Sequence, residues 1–191
     1  MISGEAATAG SRGRQPMVMG GQLEGKPRSG DSNRSIQMGT YSKLTYHIVF
    51  STKLRRPAIT NPIRERLYEY IGGIIRGQNG SLLEIGGVED HVHILTNFSP
   101  TLAISNLIRD IKANSSKWLN ALPESKMRFE WQKGYGAFTV SYSQIDVVRR
   151  YIQHQEEHHR TVSFEGEYVR FLERHGIEYE RRFVFETEQT G

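Results

Sequence analysis

Apolar residues alternate with others at the start of the patterned part of the chain. Leu44, Tyr46, Ile48 and Phe50 are each separated by one residue, the period of a strand with one buried face, in a segment that opens at Tyr41. Asn61-Pro62 then signals a helix, with Asn61 expected as N-cap and Pro62 at the first helical position. Ile63, Leu67, Tyr70, Ile71, Ile74 and Ile75 fall on one stripe of it, and Gly77 to Gly80 end it. Leu82 to Val88 predict a second strand and His91 to Phe98 a third, broken apart at Glu89-Asp90. A second helix is expected over Leu102 to Leu119, capped by Ser99 or Thr101 and carrying Ile104, Leu107, Ile108 and Ile111. The Gly-rich aromatic segment Trp131 to Ala137 precedes a fourth strand, Phe138 to Ser141. Ser143 is expected to cap a helix running through Ile145, Val148 and Ile152 to about His159, and a last helix, Glu165 to Glu173, ends at Gly176 before an extended tail.

The order βαββαβ followed by further helices predicts an α+β fold of ferredoxin-like (RRM-like) plan. In that plan a four-stranded antiparallel sheet has helices on one face and an open face opposite. Such a fold hosts many unrelated activities and does not by itself name one. Residues 1–39 read differently: eight of the 19 glycines lie there with Pro16, Pro27 and few branched or aromatic residues. Such a stretch cannot bury enough apolar surface to offset its ordering entropy. We therefore expect a flexible arm over 1–39 and one folded domain over 40–191.

Composition narrows the function classes. The chain has 191 residues and no cysteine, which excludes disulfides and thiolate metal sites and fits a reducing cytoplasm. No apolar run approaches the roughly 18 residues of a membrane span, and the first residues lack the apolar stretch of a secretory signal, so a soluble cytoplasmic protein without membrane contact is expected. A net charge of +4 favours polyanionic partners without naming one.

Chemistry enters with His91 and His93. Residues two apart on a strand project to the same side, so Val92 and Ile94 face the helices while both imidazoles stand on the opposite face. Two neighbouring imidazoles are half of a divalent-metal site, or simply a structural pair. Tyr151 and Gln155, four residues apart, are neighbours on one helix face at the edge of the apolar stripe. Each alone reads as a half-buried packing tyrosine and a surface glutamine. Together with the histidines they suggest more. A phenol, with an ordinary pKa near 10, becomes an effective nucleophile when a metal polarises the phosphate it attacks. A Gln155 carbonyl could complete a His-His-Gln site for Mg²⁺ or Mn²⁺.

These residues carry a resemblance. His91-Val92-His93-Ile94-Leu95 resembles the histidine–apolar–histidine (HUH) motif of the single-tyrosine transposases of the smallest bacterial insertion sequences. Tyr151-Ile152 with Gln155, followed by Glu156-Glu157-His158-His159, is similar to their tyrosine helix near 143–160. Tyr46 to Lys53, Trp131-Gln132 with Gly134 to Phe138, and Gly176 to Tyr179 match in order and spacing, so that the likeness spans about Tyr41 to Phe185. The resemblance implies that Tyr151 attacks single-stranded DNA to form a 5′-phosphotyrosine and a free 3′-hydroxyl. His91, His93 and Gln155 would hold the metal. It further implies DNA hairpins at element ends as substrate and a homodimer in which the tyrosine helix of one chain can serve the histidines of the other.

Lys53, Arg55 and Arg56, and Arg149 and Arg150 beside Tyr151, are the candidate DNA-binding residues, with a solvated surface as the plain alternative. Arg109, Lys112 and Lys117 share that ambiguity. Trp131, Tyr135 and Phe138 could stack on unpaired bases, although two of the three suit a core or a dimer interface better. His154, His158 and His159 are explained by a favourable interaction with a helix C-terminus, and His47 is expected near the histidine pair without being a ligand. The alternative function is a non-cleaving module that binds single-stranded nucleic-acid hairpins, which would place aromatic side chains on the open sheet face.

Overall fold

The computed structural model describes residues 41–125 and 127–185; the expectation for residues 1–39 falls outside them. Four strands, β1 (Thr45–Ser51), β2 (Ser81–Val88), β3 (His91–Asn97) and β4 (Gly136–Thr139), form one antiparallel sheet in the order β2-β3-β1-β4. With α1 (Asn61–Gly77) after β1 and α2 (Ile104–Asn120) after β3, this is the expected βαββαβ plan. The helices α3 (Ile145–Gln153), α4 (Gln155–His158), α5 (Phe164–Arg174) and the short α6 (Arg181–Val184) follow. The last of these stands where an extended tail was expected. Among the described residues no helix is long and apolar enough to cross a membrane.

Strand periodicity divides the sheet into two faces. Phe50 pairs with Val92 and Ile48 with Ile94, and all four side chains point to the face covered by α1 and α2. There they meet Leu67, Ile71 and Ile75 of α1 and Leu107, Ile108 and Ile111 of α2, nearly all without solvent exposure. Each such side chain contributes about 1.5–3 kcal/mol of transfer free energy, which makes this layer the main core.

The opposite face is where the expectation of an open sheet fails. Val49 and Phe138 pack under Phe164, Tyr168 and Leu172 of α5, and Leu95 under Ile145 and Ile152 of α3. The cause is legible afterwards: α3 and α5 each carry an apolar stripe that needs a partner, and this face is the one left uncovered by α1 and α2. Gly86 of β2 makes the approach of α3 possible, because a Cβ there would lie 2.5 Å from the Ile152 carbonyl oxygen.

Element ends differ in detail. Thr60, not Asn61, caps α1, since the amides of Ile63 and Arg64 both donate to the Thr60 carbonyl and the helix thus begins one residue earlier. Ser99 and Thr101 bond to each other through their hydroxyls, and α2 starts at Ile104 after Ala103. Ser143 lies in a single 3₁₀ turn (Tyr142–Gln144), so Gln144 rather than Ser143 precedes α3. The fourth strand begins and ends two residues earlier than expected, at Gly136 and Thr139.

Candidate active site and metal centre

The expected helix over 143–160 is broken at His154, whose backbone leaves the helical region (φ −104°, ψ 23°). Both the His154 amide and its Nδ1 reach the Arg150 carbonyl, at 3.2 and 2.6 Å, a local side-chain bond that competes with regular helix geometry. Gln155 begins α4 just beyond the break and is buried, with its Nε2 donating to the Tyr151 carbonyl at 3.4 Å. Tyr151, half-buried on α3, sits over the sheet with its ring 5.9 Å from that of His93.

His91 and His93 occupy one side of β3, as their spacing requires, and are completely buried. Each is oriented by a neighbour. His91 Nδ1 bonds to Asp90 Oδ1 at 2.6 Å, and His93 Nδ1 meets His47 Nε2 at 3.0 Å. Both rings therefore turn Nε2 toward α4 and α5, the arrangement by which ligating histidines are usually held. His47, on β1, thus lies beside the pair as expected and contacts it through His93.

Two further groups meet them. His159, just after α4, fixes its Nδ1 on the Val162 carbonyl at 2.8 Å and brings Nε2 to 3.0 Å from Gln155 Oε1. Glu167 of α5 is buried at the centre of the cluster. Its Oε1 accepts the Tyr151 hydroxyl and, at 3.3 Å, Gln155 Nε2, while Oε2 lies 3.4 Å from both His93 Nε2 and His159 Nε2. One donor atom each from His91, His93, His159 and Glu167 lies within 4.8 Å of the others. His93 Nε2 and Glu167 Oε2 are buried without a hydrogen-bond partner. Buried polar atoms are rarely left so, and a divalent cation is what this donor set accommodates.

Burial sets the electrostatics. Desolvation, with His47 and His91 nearby, holds His93 well below the ordinary histidine range, and desolvation with His91 brings His159 down to about 4. His47 is lowered to about 3 by burial and by His175. Burial, then the Asp90 charge, pushes Glu167 up to about 8, against the smaller opposite pull of Arg170. Burial alone would raise Asp90, but the hydrogen bond and charge of His91 outweigh it and hold that carboxylate below its usual value. Near neutral pH the perturbed imidazoles are neutral with lone pairs available, and the central carboxyl lacks the positive charge that would ionise it.

The tyrosine, the histidine pair and Gln155 therefore converge as the sequence suggested. His159 and Glu167 were missed. The signal for Glu167 was its place on the apolar stripe of Phe164, Tyr168 and Leu172, where a lone carboxylate is out of character. His159 follows Gln155 by four residues and faces inward rather than serving a helix dipole; its neighbour His158 is half-buried with Nε2 3.4 Å from Glu167 Oε1, and His154 is exposed.

The candidate DNA-binding residues make ion pairs or face solvent. Lys53 pairs with Glu130 at 2.7 Å, Arg55 reaches Glu165 at 3.2 Å, and Arg56 is exposed. Arg149 pairs with Asp146 at 2.7 Å within α3, and Arg150 is exposed next to Tyr151. Lys112 donates to the carbonyls of Gln132 and Gly134, Arg109 pairs with Asp110, and Lys117 is exposed. Trp131 and Phe138 are core residues and Tyr135 is exposed, as expected for two of the three.

Comparison with known proteins bears directly on this arrangement. The family model described as "Transposase IS200 like" matches residues 40–155, well over half of the chain. The chain belongs to the IS200-like transposases. Among curated relatives, the transposase for insertion sequence element IS200 of Salmonella typhimurium is 29% identical over 117 residues, covering 59% of this chain and 76% of that one. The ISDra2 transposase TnpA of Deinococcus radiodurans is 26% identical over 125 residues, covering 62% and 89%. Two solved structures share the transposase fold. One, a Deinococcus radiodurans R1 chain assigned as a transposase, has a TM-score of 0.51 at 24% identity over 61% of this chain and 94% of its own. The other, a REP-associated tyrosine transposase bound to a REP hairpin, has a TM-score of 0.51 at 16% identity over 65% and 73%. The family match contains His91, His93, Tyr151 and Gln155 of this transposase, while His159 and Glu167 lie beyond its end.

Proposed function

We propose that this transposase cleaves and rejoins single-stranded DNA at insertion-sequence ends with Tyr151 as nucleophile. The observation that carries the reading is the convergence of the Tyr151 hydroxyl on the His91, His93 and Gln155 cluster, from elements about 60 residues apart, through Glu167. In the forward step Tyr151 Oη bonds to phosphorus as the bond from phosphorus to the 3′ oxygen breaks. The phenolic proton passes to Glu167 in its ionised form, which a divalent cation held beside it would favour, and the departing 3′ oxygen gains a proton from water. The products are a 5′-phosphotyrosine and a free 3′-hydroxyl, and attack by another 3′-hydroxyl reverses the step and joins a new end. No external energy source is needed because one phosphodiester is exchanged for another.

His91 and His93 would hold a divalent metal, Mg²⁺ or Mn²⁺, with the Gln155 carbonyl beside them, its Oε1 3.5 Å from His91 Nε2. When bound, such an ion supplies charge stabilisation to the phosphate under attack. Asp90 and His47 keep the two rings aimed, and Glu167 keeps the hydroxyl of Tyr151 against the cluster. Single-stranded hairpins are the proposed substrate, in keeping with the hairpin bound by the REP-associated relative. Arg150, with Lys53, Arg55, Arg56 and Arg149, would meet its backbone, with Lys53, Arg55 and Arg149 exchanging protein carboxylates for phosphates. We propose a homodimer acting on DNA in the cytoplasm, each chain carrying its own tyrosine beside its own histidines.

The test is incubation of the purified protein with 5′- and 3′-labelled hairpins from the flanks of its own gene, with Mg²⁺ or Mn²⁺, against Tyr151→Phe. A covalent adduct on the 3′ fragment that needs metal and vanishes in Tyr151→Phe is expected. Hairpin retention on a native gel without cleavage under either metal would mean a non-cleaving binding module instead.

A further inference from the structure

We infer that His159 and Glu167 are direct metal ligands, so that the site is built from three imidazole nitrogens and a carboxylate and takes Mn²⁺ in preference to Mg²⁺. The inference rests on the proposed metal-assisted reading of the same site and adds to it two residues beyond the span matched by the family model.

The hydrogen-bond inventory favours a cation. The Asp90 carboxylate and the Val162 carbonyl can only accept, so Nδ1 carries the hydrogen on both His91 and His159, and each Nε2 presents a lone pair. Gln155 is oriented by its own donors: Nε2 gives its hydrogens to the Tyr151 carbonyl and Glu167 Oε1, which leaves Oε1 facing the histidines as an acceptor. His159 Nε2 then confronts Gln155 Oε1 at 3.0 Å and Glu167 Oε2 at 3.4 Å, and His91 Nε2 confronts Gln155 Oε1 at 3.5 Å. At Gln155 Oε1 lone pair faces lone pair, and at Glu167 Oε2 the same holds once the carboxyl is ionised. Such a group is repulsive when dry and becomes favourable around one shared positive charge.

The two oxygens of Glu167 divide the work. Oε1 is occupied by Tyr151 and Gln155, whereas Oε2 has no donor and points at His93 and His159. A single carboxylate thus links the nucleophile to the ion. Its position is held from α5, where Phe164 packs on the His91 ring at 4.4 Å between centroids. Imidazole-rich sets of this kind suit first-row transition ions, whereas Mg²⁺ prefers oxygen ligands and retained water. Gln155 remains as a neutral oxygen at the edge of the set.

The test uses the full chain freed of metal by chelation and titrated with Mn²⁺, following loss of the free-ion electron paramagnetic resonance signal. One Mn²⁺ per chain is expected, retained against a tenfold excess of Mg²⁺, with affinity at least about tenfold lower in Glu167→Gln and His159→Asn. Pulsed resonance of the bound ion should show nitrogen couplings that weaken in His159→Asn. Wild-type affinity and unchanged nitrogen couplings in both variants would overturn the inference, as would ready displacement by equimolar Mg²⁺ or the absence of any Mn²⁺ binding. Should either variant fail to fold, the Mg²⁺ competition and the nitrogen couplings of the wild type still decide. Failure of the tyrosine reading is separable: Tyr151→Phe should bind Mn²⁺ like the wild type, whether or not the wild type forms an adduct.

Discussion

The Tyr151 hydroxyl donates to Oε1 of Glu167, a residue 16 positions further along on a different helix. The proposed nucleophile is thereby tied to the same carboxylate whose other oxygen faces His93 and His159. Removing that carboxylate should leave Tyr151 in place but without its acceptor. Glu167→Ala is expected to slow cleavage by at least ~10²-fold at saturating metal and DNA, the scale of a lost general base. Single-turnover adduct formation measures it, and a wild-type rate would remove Glu167 from the reaction.

Gly86 is where α3 meets the sheet. A methyl group there would lie 2.5 Å from the Ile152 carbonyl oxygen and 2.9 Å from Ile152 Cγ2, so α3 must shift. Gly86→Ala should cost about 1–3 kcal/mol of stability by overpacking. Because Tyr151 adjoins Ile152, it should also cut adduct formation more than hairpin binding. Denaturant melts and a native-gel titration, run beside the cleavage assay, separate the two effects.

Asp90 orients His91 through a 2.6 Å bond to Nδ1. Asp90→Ala frees the ring and should weaken metal binding by roughly 10–100-fold, the usual consequence of losing such a partner. Equilibrium dialysis with Mn²⁺ reads this directly, and an unchanged affinity would show that packing against Phe164 alone holds the ring.

Stability of the metal-free protein should depend on pH in two opposing ways. His47, lowered to about 3, and His159, lowered to about 4, bind protons more readily unfolded than folded, so their contribution is lost as pH falls below 6.5. Glu167, raised to about 8, binds its proton more tightly when folded, so its contribution is present below about 4.5 and lost as pH rises toward 8. Urea midpoints should therefore fall on acidification from pH 6.5, and fall again between pH 6.5 and 8. In Glu167→Gln the second decline should disappear; its persistence would assign the effect elsewhere.

Ile94 lies in the middle of β3 with no solvent exposure, on the side away from the histidines. Ile94→Ala should destabilise the fold by about 2–5 kcal/mol through lost burial and a residual cavity. Since the side chain does not touch the site, Mn²⁺ affinity of the folded fraction should be unchanged. Calorimetry and the Mn²⁺ titration check the two halves.

What the chain decides locally was open to inspection in its sequence. A period of two put His91 and His93 on one side of β3 and Val92 and Ile94 on the other, because successive strand residues must alternate. A period near 3.6 located α1, α2, α3 and α5 and placed Tyr151 beside Gln155, and the order of elements implied the sheet. Tertiary packing decided the rest. That the histidine face is roofed depends on two apolar stripes, of α3 and α5, finding the same surface, which no local pattern specifies. The break at His154 arises from a ring competing for one carbonyl, and it turns Gln155 and His159 inward. In the sequence Glu167 stood out only as a carboxylate on the apolar stripe of its helix. Its role emerges only when α5 lies across the sheet, because proximity between residues 76 positions apart in sequence, such as His91 and Glu167, is set by long-range burial rather than by backbone period.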